Sequence, residues 1–166
     1  MFSFFKKKVT PEDMAFGFHA ATFWLEPQDG TLLRILSEKV TGYDEGAVKK
    51  EIRHLRTYCV DLYIRDNELP KEPKRVLLDA YYSSFDHESD TVLPISRTEL
   101  DGGLAEYRII EQSPENIGRR IGEIFARRCG LAGNQLLEDF GLALFVNTSK
   151  GLMKLESSVM LRMKSS

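Results

Sequence analysis

Glu51, His54, Tyr58, Asp61 and Arg65 follow one another at alternating spacings of three and four, so on an α-helix they form one stripe of polar, mostly titratable groups. Within it, Glu51-Ile-Arg-His54 has the glutamate-x-x-histidine spacing that sets a carboxylate and an imidazole on one helix face. Carboxylate-bridged metal bundles use that motif twice, with further glutamates from other helices. This chain has it once, because Phe16 and Ser84 stand where a glutamate would precede His19 and His87. A single carboxylate–imidazole pair is a thin ligand set, so neither a metal nor another cofactor is expected. A metal-dependent enzyme on the Glu51/His54 stripe is the second alternative, and it needs acids from another helix to converge there. The plainer expectation is a polar ladder between helices, with Asp61 and Arg65 supporting each other one turn apart.

Other chemistry finds little footing. The chain has no glycine-flanked serine elbow, no Walker loop and no dinucleotide fingerprint. Its two cysteines, Cys59 and Cys129, occupy apolar positions of helical stretches. Burial raises a thiol's pKa and makes it inert, so both are expected as free core thiols. No catalytic residue is assigned.

Arg119, Arg120, Arg127 and Arg128 gather beside the stretch from Phe125 to Phe140 and could contact an anion or nucleic-acid phosphates. In that stretch, Ala126, Gly130, Leu131 and Leu136 fall where a small residue, a turn glycine and two apolar anchors are wanted. It resembles the helix-turn-helix of bacterial transcription regulators, and the resemblance implies DNA binding through residues 119–140. It departs from that pattern at Asp139, a position normally apolar, and its second helix carries Glu138 and Asp139 with no lysine or arginine. A DNA-binding regulator is therefore the first alternative, against an ordinary helix–glycine–helix corner.

The element that must position the stripe is the helix expected from Asp44 to Leu69. Val48, Ile52, Leu55, Cys59 and Leu62 make its apolar face, while Val60 and Ile64 add apolar surface opposite, as for a central helix packed on two sides. Before it, Thr10-Pro11 starts a helix that Pro27 and Asp29-Gly30 should stop, and a short helix spans Gly30 to Val40. After it come a helix from Lys71 to Phe85, one opened by the Ser96–Glu99 capping box and bent at Gly102-Gly103, and one opened by Ser113-Pro114 and closed by Gly130. In the last of these, Gly118, Gly122 and Ala126 recur every four residues. They form a shallow strip that suits close packing on another helix, either of this chain or of a second copy. A helix from Asn134 to Val146, a turn at Asn147–Gly151 and a last helix from Leu152 to Met163 complete the chain. A β-hairpin across 141–156 competes for that end.

The reading is an all-α, single-domain bundle of about six to seven helices over residues 10–166, preceded by a flexible tail at 1–9. The 166 residues suit one core, and 42% hydrophobic with 29% charged residues is ordinary for a globular domain. A net charge of −2 argues against binding nucleic acid through overall charge. No run is long enough to span a bilayer, although Phe2, Phe4, Phe5 and the lysines of residues 1–8 could touch a membrane surface. The expected function is therefore non-catalytic: a cytoplasmic adaptor, regulatory subunit or small-ligand sensor that binds a protein partner and self-associates as a homodimer.

Overall fold

The computed structural model describes residues 7–23, 27–87, 97–111 and 115–161. Among them run strand β1 (Lys7–Val9) and helices α1 (Pro11–Phe23), α2 (Pro27–Lys39), α3 (Glu45–Asp66) and α4 (Lys71–Ser83). A 3-10 turn (Ser84–His87) follows, then α5 (Arg97–Ile110), α6 (Ile117–Arg128), α7 (Gln135–Ser158) and strand β2 (Val159–Leu161). The fold is all-α. The phenylalanines at 2, 4 and 5, Trp24, and the serines at 96 and 113 lie outside the described residues.

Helix α3 is the axis of the bundle. Every residue from Glu51 to Asp61 is buried, because α3 packs against α1, α4, α5, α6 and α7. Val48, Ile52 and Leu55 on one side and Val60 and Ile64 on the other are all within 1% of full burial, as the two-sided pattern requires. Asp44 caps its start by accepting the Ala47 N–H at 3.1 Å. Thr10 and Asp13 cap α1 reciprocally, each side chain accepting the other's backbone N–H at 3.1 and 3.2 Å.

Four expectations need correction. Asp29-Gly30 do not stop a helix but lie inside α2, which Pro27 opens, where the missing N–H costs nothing. Gly102-Gly103 do not break α5, which runs through both, and Gly103 lets the helix lie directly on His54 of α3. The turn expected at Asn147–Gly151 is helical. Leu144 and Leu152 lie on one face of α7 and are both buried, so core packing overrides the turn-forming composition between them. No hairpin forms across 141–156, and β2 instead pairs parallel with β1, Lys7 opposite Val159. Lys7–Val9, the described part of the stretch 1–9, form β1 of that pairing.

Candidate functional site

The α3 stripe becomes two knots of buried charge. In the first, Glu51 Oε1 accepts the Tyr107 hydroxyl of α5 at 2.6 Å, and Glu51 Oε2 accepts Arg128 Nε of α6 at 2.7 Å. His54 Nδ1 lies 3.1 Å from the same Oε2 and 3.2 Å from Arg128 Nη2. Glu106 closes the knot, accepting Arg128 Nη1 at 2.8 Å and Arg127 Nη2 at 2.6 Å. In the second, Asp61 accepts from Arg65 Nε at 2.8 Å, Tyr82 Oη at 2.5 Å and Arg108 Nη2 at 3.0 Å. Arg65 also grips Glu111 with both terminal nitrogens, at 2.8 and 2.7 Å. Tyr58 stacks on Tyr107 between the knots, with ring centroids 5.2 Å apart.

The tyrosines of both knots are arranged to keep their protons. Burial, then the Glu51 charge, pushes the Tyr107 hydroxyl well above its ordinary range, and burial with Asp61 does the same to Tyr82. Burial alone would raise the Glu106 carboxyl, yet the hydrogen bonds and charges of Arg127 and Arg128 bring it below its ordinary value. The Arg128 guanidinium faces both Glu51 and His54, the position a cation would need. Among the described residues, no three His, Cys, Asp or Glu side chains are placed to hold a metal ion. The stripe ties α3 to α4, α5 and α6.

Each of the four arginines is engaged within the chain. Arg127 and Arg128 converge on Glu106, and Arg119 pairs with Glu123 one turn along α6. Arg120 also has an interaction within the chain. Gly130 and Gly133 turn the chain with positive φ, but the helix beyond buries Leu137, Phe140 and Leu144 in the core, and Asp139 is exposed. The Gly118, Gly122 and Ala126 strip is spent within the chain. A Cβ on Gly118 would meet Leu142 at 2.7 Å, one on Gly122 would collide with the Glu138 carbonyl, and Ala126 is fully buried. As a seam for a second copy the strip is thus corrected: α7 occupies it.

Opposite the stripe, α3 presents a site whose residues the sequence reading passed over. Arg56 Nη2 donates to Asp29 Oδ2 of α2 at 2.8 Å, and the two residues are only 3% and 2% exposed. This pair lines a cavity of about 340 Å³ together with Val60, Phe140, Leu144 and Leu152, and with Leu32, Asn147 and Thr148. Gly17 of α1 and Gly151 of α7 line it as well, and a Cβ on either would meet no atom within 4 Å. Glycine inside a helix costs about 0.5–1 kcal/mol against alanine. At Gly103 and Gly122 close packing explains that cost, whereas at Gly17 and Gly151 the bare backbone only leaves room. Gly30 and Gly102 have equally open surroundings but do not line the cavity. A second hollow of about 590 Å³ beside Cys59, Tyr63 and Met153 has acids along its edge and no buried ion pair described within it.

As a sequence, Asp29-Gly30 looks like a helix stop, and Arg56 belongs to neither the polar stripe nor the apolar face of α3. The signal that would have found the pair is Arg56-x-x-x-Val60-x-x-x-Ile64: an arginine in line with the second apolar face of a helix expected to be buried on both sides. Comparison of the chain with protein-family models, with curated proteins and with solved structures gave no match.

Proposed function

We propose that this chain is a non-catalytic binding protein, a small-ligand sensor that takes an amphipathic molecule into the cavity between α2, α3 and α7. The cavity carries the reading. Protein interiors are close-packed and hold few voids larger than a water molecule. A hollow of about 340 Å³ with apolar walls and a buried Asp29–Arg56 pair has the size and lining of a small-molecule site. Stability does not call for the pair, since apolar residues of similar volume commonly serve a core as well or better. A ligand seated there would lie among helices α1, α2, α3 and α7 and so stabilise the folded state by mass action.

The proposal places the protein in the cytoplasm, where Cys59 and Cys129, both free and buried, stay reduced. It also keeps a protein partner, a second copy included, as the route by which ligand occupancy is read out. Exposed apolar side chains such as Phe16, Ile109 and Met153 are available to such a contact. The test is fluorescence titration with N-phenyl-1-naphthylamine, an uncharged probe that brightens on leaving water. A saturable rise in emission supports the reading, and emission no greater than with an unrelated helical protein rejects it. Sedimentation with and without saturating probe tests the readout: a change in mass supports it, and an unchanged monomer removes self-association.

A further inference from the structure

We infer that the second hollow, between the C-terminal end of α3 and the middle of α7, binds a cationic amphiphile: an apolar body carrying a protonated amine. It shares no lining residue with the cavity of the Asp29–Arg56 pair, and the inference does not depend on that cavity holding a ligand. At about 590 Å³ the hollow falls within the size range of small-molecule sites. Leu62 and Tyr63 of α3 and Phe145 and Met153 of α7 make its lining mainly apolar. None of the four is fully buried, and Met153 is 60% exposed, so apolar surface is left open to water inside a concavity.

The charge at the edge of the hollow has one sign. Asp66 and Glu68 line it, and no lysine, arginine or histidine does. Among the described residues neither acid forms an ion pair. Asp66 is also the last residue of α3, at the negative end of the helix dipole, where a carboxylate is disfavoured. Helix stability therefore does not account for an acid at that position, whereas a cation held there is attracted by both carboxylates and by the helix end. Lys74 of α4 donates to the Arg65 carbonyl at 2.6 Å but lies outside the lining. Burial keeps the Cys59 thiol protonated, so it adds no charge to the hollow.

An apolar chain laid along Leu62, Phe145 and Met153 gains by leaving water. Its ammonium stays at the edge, where Asp66 and Glu68 are exposed and the charge keeps its hydration. An alcohol of the same length makes only the first gain, and a carboxylate is repelled by the edge. Because both acids are exposed, salt must weaken the preference: the screening length falls from about 30 Å at 0.01 M to about 3 Å at 1 M.

The experiment follows the Met153 methyl resonance, assigned by its loss in Met153→Leu, while the wild-type protein is titrated at low salt with octylamine, octan-1-ol and octanoate. Met153 lines this hollow and not the other, so the readout is local. At about pH 7 the amine is protonated and the acid ionised. Octylamine should shift the resonance saturably, with a half-point at least about threefold below that of octan-1-ol and about tenfold below that of octanoate. At about 1 M salt the amine and alcohol half-points should converge. A resonance that none of the three shifts saturably removes the hollow as a site, and equal half-points at low salt overturn the preference for a cation.

A double variant ties that preference to the two acids. Asp66→Asn with Glu68→Gln should leave the fold intact, since both residues are exposed, and abolish the advantage of the amine over the alcohol. A folded double variant that keeps the wild-type advantage overturns the role of the acids. If the variant fails to fold, the wild-type ranking and its salt dependence still decide.

Discussion

Arg128 donates its Nε–H to Glu51 Oε2 at 2.7 Å, joining α6 to the central helix across a separation of 77 residues in the chain. Glu51 is buried and depends on Tyr107, His54 and Arg128 together. Removing one partner of a buried pair leaves the other charge without compensation, at a cost of about 3–5 kcal/mol. Arg128→Met should lose stability on that scale in urea denaturation. Arg127→Met should cost less than about 0.5 kcal/mol, since Arg127 is exposed and Glu106 keeps Arg128. Equal losses would contradict the division between a buried knot and its exposed edge.

Neighbouring glycines in α5 should respond with opposite signs. A Cβ on Gly103 would sit 2.9 Å from His54 Cδ2 and 3.1 Å from Arg128 Nη2, so Gly103→Ala must push the knot apart. An overpacked site of this kind costs about 1–3 kcal/mol. Gly102 has open space at the same point, so Gly102→Ala should stabilise by up to about 1 kcal/mol through helix propensity. Thermal melts of the two variants check this directly, and destabilisation by both would be inconsistent with the packing described.

The ion pairs set an acid limit. Hydrogen bonds from Arg65 hold the Glu111 carboxyl below its ordinary value, and Arg127 with Arg128 do so for Glu106 against the opposing effect of burial. A carboxyl whose pKa is depressed in the folded state contributes stability that is complete above its unfolded pKa, about 4.3 for glutamate. That contribution disappears as pH falls through the folded value. Urea midpoints should hold steady from neutral pH to the ordinary glutamate range and then drop. Arg65→Met should lower the neutral plateau and flatten the drop, because Glu111 then loses the largest cause of its depression.

Burial pushes the thiols of Cys59 and Cys129 up to about 12. A neutral maleimide should therefore label neither in the native protein at neutral pH and both in denaturant. Fast native labelling of either would place that thiol at the surface.

The sequence made the bundle legible because α3 announces burial on both faces, and the central helix, its core thiol Cys59 and the polar stripe follow from that periodicity. Local composition misled where tertiary packing was stronger. Asn147-Thr-Ser-Lys-Gly151 looks like a turn, yet Leu144 and Leu152 carry the helix through it. The Gly118–Ala126 strip was correctly seen as a contact surface, but its partner is α7, and spacing alone cannot distinguish a helix of the same chain from one of a second copy. The stripe drew attention because it concentrates titratable groups at one helical spacing. The Asp29–Arg56 pair did not, because its members are 27 residues apart and the pairing exists only once α2 lies on α3.

The most direct test of the cavity as the ligand site is the affinity of N-phenyl-1-naphthylamine for two glycine variants. Gly151 is exposed where it lines the cavity, and a Cβ there meets nothing within 4 Å, so the fold should tolerate Gly151→Phe while a ring at the cavity's rim obstructs the ligand. Gly102→Phe places the same ring in similarly open space on α5, away from the cavity lining. The account predicts that both variants remain folded by circular dichroism, that Gly102→Phe binds the probe as the wild type does, and that Gly151→Phe loses affinity by about tenfold or more. Wild-type affinity in a folded Gly151→Phe variant would contradict the account.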